Sequence, residues 1–80
     1  MILQTESGTK YHLKPVRNGY LLMREPGNPD QATSMDGRWI RFVLGARLTI
    51  GQPTQFICEP QTPGVQVTLL NTTKITGVIW

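Results

Sequence analysis

Tyr11-His12-Leu13-Lys14-Pro15-Val16-Arg17-Asn18-Gly19-Tyr20-Leu21-Leu22-Met23-Arg24-Glu25 is the stretch that decides the fold. Asn-Gly between two runs of alternating character is the strongest short-range hairpin signal, because both central residues of a type I′ turn need positive φ. A strand over 11–17 and its partner over 20–25 follow. Such a turn sets Arg17 opposite Tyr20, Pro15 opposite Leu22 and Leu13 opposite Arg24. The face shared by these residues and Tyr11 is mostly apolar and is expected to look into the core. His12, Lys14, Val16, Leu21, Met23 and Glu25 make a mixed second face. Pro15 lacks a ladder donor, so it predicts an edge strand or a bulge.

Outward from this hairpin the same grammar repeats. Gly and Pro supply fourteen of the eighty residues, spread along the chain, and apolar residues alternate rather than recurring at three and four. That is the pattern of short strands punctuated by turns. Arg38 to Leu44 is expected as a strand with Ile40, Phe42 and Leu44 on one face and Trp39, Arg41 and Val43 on the other. Thr54 to Glu59 follows, with Phe56 and Cys58 on one face. Next come 65–70 and, after a tight turn over 71–74, Ile75 to Trp80. The longest non-strand segment is 26–37. There Asn28 can cap a single helical turn within 28–36, with Pro29 at its first position and Gly37 at its end.

Five or six short antiparallel strands over 1–80 predict one all-β domain, curled into a small, strongly twisted barrel that protects its sheet edges, with an open β-sandwich or curled antiparallel sheet as the second choice. The ending, a hairpin, one tight turn and a short last strand, resembles that of SH3-like barrels in architecture. Many functions share such folds, so the resemblance implies no activity.

Composition narrows the function classes. Hydrophobic residues make up 39% and charged residues 16%, against about 25% charged in an average domain, which is the opposite of a disordered chain. No apolar run reaches the roughly 18–20 residues of a membrane-spanning helix, and the N-terminus lacks a secretory pattern. Cys58 is the only cysteine, which fits a reducing, cytoplasmic setting and excludes an intrachain disulfide or a multi-cysteine zinc site. His12 and Cys58 are the lone candidates for a nucleophile and base. Cys58 shares a face with Phe56 and reads as packing, and no phosphate-cradling glycine motif occurs. No enzyme, cofactor or metal is expected.

Binding is the stronger class. The net charge of +3 lies wholly in residues 37–80, where Arg38, Arg41, Arg47 and Lys74 face Glu59 alone. Trp39 and Arg41 share a strand face, and these residue types are enriched at interface hot spots. The expected function is therefore a protein-interaction domain (adaptor, inhibitor or accessory subunit). Its contacts are expected at Trp39, Arg41, Arg38, Arg47, Tyr20 and Met35, the last in the 26–37 loop. The competing use of Trp39 is to cover a barrel mouth. A weak nucleic-acid-binding barrel using Trp39 with Arg38, Arg41 and Arg47 is the alternative; dispersed cations of this kind give salt-sensitive affinity. The chain is expected as a monomer, or as a homodimer through an edge at the last strand or the Tyr11 strand.

Overall fold

A computed structural model describes all residues, 1–80. The chain is all-β: β1 (Ile2–Thr5), β2 (Lys10–Val16), β3 (Gly19–Glu25), β4 (Ile40–Leu44), β5 (Gln55–Cys58), β6 (Thr68–Asn71) and β7 (Ile75–Ile79). All pair antiparallel in one sheet of order β6-β5-β4-β3-β2-β1-β7. Seven strands replace the expected five or six because Ile2–Thr5 forms a strand of its own, with Leu3 and Thr5 buried.

The hairpin forms, but two residues out of the expected register. Val16 pairs with Gly19, Leu13 with Leu22, Tyr11 with Arg24 and Lys10 with Glu25. No non-glycine residue has positive φ, so Asn18 cannot take part in a type I′ turn; within the hairpin only Gly19 has positive φ, at +142°, and it lies in the ladder opposite Val16. The observed register sets two buried leucines directly opposite each other and Lys10 opposite Glu25, both favourable cross-strand pairs. A shift of two residues preserves side-chain parity, so the core face stays as expected. Pro15 also finds a different solution. β2 is internal, but β1 reaches only as far as His12 along it, so Pro15 sits where β2 has one neighbour and no donor is missed.

Strand ends differ elsewhere. β4 begins at Ile40, leaving Arg38 and Trp39 before it, and β6 begins at Thr68, leaving Val65 and Val67 exposed. Asn28 caps a single 3-10 turn over Pro29–Gln31, accepting from the Asp30 N–H at 3.0 Å.

The two edge strands, β6 and β7, are consecutive in the chain and joined by three residues. The sheet must therefore curl until its edges meet. No ladder joins them, so the expected closed barrel is replaced by an open curl. Residues 51–54 span the gap through backbone bonds from Gly51 to Ile75, from Ile75 to Gln52 and from Thr72 to Thr54 (2.7, 3.0 and 3.0 Å). Within the curl, Leu3, Tyr11, Leu13, Leu22, Ile40, Phe42, Phe56, Cys58 and Ile75 form the core. Phe56 is at its centre, with its ring centroid 5.3 Å from Tyr11 and 5.0 Å from Phe42, the latter edge-on.

The end of the curl marked by Thr5, Lys10 and Glu25 is plugged. There Gln31 donates to the Ser7 carbonyl at 3.1 Å, and its side-chain oxygen accepts from Thr9 Oγ1 and the Gly27 N–H, both at 3.1 Å. Gly27 is needed for this closure, since a Cβ there would stand 2.7 Å from the Gly8 carbonyl carbon. Arg24 and Asp36 pin the rest of the loop at 2.7 Å. No helix is long and apolar enough to cross a membrane.

Candidate functional site

The opposite end of the curl is open. Antiparallel hydrogen bonding brings the last residues of β2, the first of β3 and the last of β4 side by side, and all three present apolar side chains: Leu13 and Pro15, Tyr20, then Phe42 and Leu44. Leu48, half-buried from the connection after β4, and the two ends of the chain, Met1 and Trp80, complete the wall, with Lys14 at the rim. The result is an apolar groove of about 500 Å³. That volume lies within the roughly 300–1,000 Å³ of ordinary ligand pockets. Its floor is core, because Phe42 and Leu13 are buried. Its rim is solvent-facing, with Tyr20 55%, Leu44 47% and Trp80 94% exposed.

Of the six expected contact residues, only Tyr20 belongs to this groove. Its ring stands 6.2 Å from that of Phe42. Leu44, expected in the core stripe, instead forms rim. Trp39 and Arg41 do share the outer face of the sheet, yet each is engaged within the protein. Lys14 Nζ lies 4.0 Å from the centroid of the Trp39 ring, and Arg41 donates to the Asn18 carbonyl at 2.7 Å, holding the hairpin turn. Arg38 ties the 26–37 loop to the connection after β5, donating to the Ser34 carbonyl and to Gln61 Oε1 (3.2 and 3.1 Å). Met35 is half-buried and packs on the core. Arg47 is exposed beside Leu48.

The outer face carries a further apolar row in register, Val43, Ile57 and Leu69. The free edges are β6 and β7. The Tyr11 strand is no edge, because β1 and β3 flank it.

His12 and Cys58 lie on opposite faces. His12 Nε2 is 3.7 Å from Glu25 Oε2, whereas Cys58 is buried beside Phe56. Burial pushes the Cys58 thiol up to about 11, with the Glu59 carboxylate adding to the effect. The thiolate is the reactive form. A thiol-reactive dye at pH 8 is therefore expected to leave the native protein unlabelled and to label it promptly in denaturant. Prompt native labelling would show Cys58 to be accessible. No three His, Cys, Asp or Glu residues cluster closely enough to hold a metal ion.

Comparison with protein-family models, with curated proteins and with solved structures gives no match for this chain.

Proposed function

We propose that this is a non-enzymatic protein-interaction domain, an adaptor, inhibitor or accessory subunit, which receives apolar side chains of its partner in the groove at the open mouth of an SH3-like curl. One observation carries the reading: an apolar groove whose floor is core and whose rim holds exposed Tyr20, Leu44 and Trp80. Exposed apolar surface of this kind, concave and bordered by polar residues, marks interaction sites. Aromatic anchors around a desolvated pocket are where interface energy concentrates. Trp39 and Arg41, the contact pair favoured by the sequence, act from outside by fixing Lys14 and the hairpin turn. The single buried thiol suits a cytoplasmic protein. The free edge of β7 is the place for a homodimer by strand addition, and sedimentation velocity distinguishes it from a monomer.

The test is selection of binders from a random 12-residue peptide display library, followed by amide NMR of the complex. Selected peptides are expected to shift Leu13, Tyr20, Leu44 and Leu48. Leu44→Lys is expected to weaken them by about tenfold or more, the effect of losing an interface hot spot, with the melting temperature kept because Leu44 is 47% exposed. Binders that map to Trp39 and Arg41, or to the Val43–Ile57–Leu69 row, would move the site to the outer face. Failure to select any binder would overturn the reading.

A further inference from the structure

The groove sits at one pole of an unevenly charged molecule. Lys14 is at its rim, Arg17 is in the hairpin turn two residues past Pro15, Arg41 adjoins Phe42 with its guanidinium on that turn, and Arg47 adjoins Leu48. All four are exposed. Glu6, Glu25, Asp30 and Asp36 belong instead to the plugged end, alongside Lys10, Arg24 and Lys74. The one remaining carboxylate, Glu59, accepts from the Arg41 main-chain N–H at 3.2 Å. With Arg38 offsetting the plugged end's excess of one carboxylate, the four cations less Glu59 carry the whole net charge of +3 on the chain segments that build the mouth.

We propose that the groove selects an extended peptide segment whose apolar anchor is flanked by Asp or Glu, the anchor entering between Tyr20 and Leu44 and the carboxylates meeting Arg17 and Arg47. This deepens the proposed function and rests on it. Complementary charge around an apolar centre raises the encounter rate and discriminates among partners. The placement of the cations argues for a peptide over a single anionic headgroup. They are spread over β2, the hairpin turn, β4 and the connection after it, on separate segments of the chain. It also favours a peptide over nucleic acid at the expected Trp39 site, since Trp39 already carries Lys14 at 4.0 Å on its ring, where a base would need to stack. Beside the mouth, β7 offers a strand edge with no backbone partner beyond Ile75, so an extended segment can add main-chain hydrogen bonds there.

The experiment pits three peptide display libraries against the whole protein. They share a random apolar centre and differ in flanks of Asp/Glu, Ser/Gln or Lys/Arg. The best binder of each is then measured by fluorescence anisotropy at low and high salt. The acidic-flanked binder is expected to win by about tenfold or more, with the advantage shrinking in salt as exposed charges are screened. The Arg17→Glu/Arg47→Glu double variant should remove that advantage and leave the Ser/Gln-flanked binder unchanged. Equal affinities that remain sensitive to Leu44→Lys would overturn the acidic preference while leaving the groove as the docking site. Affinities indifferent to Leu44→Lys would overturn the groove itself. A single-stranded oligothymidine that outcompetes the acidic binder would overturn the peptide class altogether.

Discussion

Replacing Phe56 by alanine is expected to cost about 3–5 kcal/mol, the range for deleting a fully buried aromatic ring. An 80-residue domain holds only roughly 4–12 kcal/mol in total, so this variant stands near the limit of folding. The reason is position. Phe56 has no solvent exposure, and its ring is shared between Tyr11 on β2 and Phe42 on β4. Aromatic pairs of this geometry add about 0.5–1.5 kcal/mol beyond the area they bury. The surrounding atoms belong to hydrogen-bonded strands and cannot collapse into the space, so a cavity is left as well. Phe42 is also the groove floor, which couples the core to the groove. Urea unfolding followed by far-ultraviolet circular dichroism measures the loss, with Val43→Ala, 60% exposed, as a control expected within about 0.5 kcal/mol of wild type. Phe56→Leu keeps most of the volume and should retain a measurable folded state. A Phe56→Ala loss below about 1 kcal/mol would mean that the aromatic trio is not the centre of the core.

The sequence spoke clearly wherever two residues sufficed to define a pattern. Parity along a strand separates Tyr11, Leu13 and Leu22 from His12, Lys14 and Leu21 whatever the exact turn, so the core face survives a two-residue error in register. Phe56 and Cys58 were legible as core for the same reason, and Asn28-Pro29 as a cap and first turn. What failed needed knowledge of neighbours. Four residues of β1 hold no turn chemistry of their own, and they become a strand only because β2 and β7 flank them. Leu44 follows Ile40 and Phe42 in alternation, yet the strand outruns the core and leaves it on a rim. Closure of the barrel was expected from strand number. The real curl stops short because residues 51–54 occupy the gap between its edges. The groove was the least legible feature of all, since its walls come from β2, β3, β4, the segment after β4 and both chain ends. Tyr20 can be named from the sequence as a contact residue, but not the groove it borders. No local pattern links it to Leu48 or Trp80.

Asp36→Ala is expected to cost about 2–4 kcal/mol, because it breaks a largely buried ion pair and strands a charged partner. The side chains of Arg24 and Asp36 are only 11% and 15% exposed. Burial alone would raise the Asp36 carboxyl. The Thr33 N–H, the Arg24 guanidinium and the Thr33 hydroxyl overcome that and hold it below its ordinary 3.8. A carboxyl depressed in the folded state binds protons more weakly there than in the unfolded chain. Its stabilisation is therefore complete above the ordinary carboxylate range and drains away as the pH falls through the depressed value. The alkaline side has the opposite sign. Burial raises Tyr11 above 10.0 and moves Cys58 from 9.0 to about 11, so stability is lost as the pH climbs past the unfolded values of those groups. A plateau running from above the carboxylate range to about pH 9 is the expected profile. Asp36→Asn keeps an acceptor for Thr33 and Arg24 but cannot titrate, so it should start lower and show a shallower acid limb. Urea midpoints from pH 2.5 to 7 measure this, and parallel acid limbs for the two proteins would remove Asp36 as their source. Because Asp36 pins the 26–37 loop at the plugged end, amide exchange should rise first over residues 32–37. The peptide affinity proposed for the groove at the other end should be kept at pH 7 in every molecule that remains folded. The two ends of the curl are thereby separable: one is held shut by the 26–37 loop, and the other is an open apolar groove.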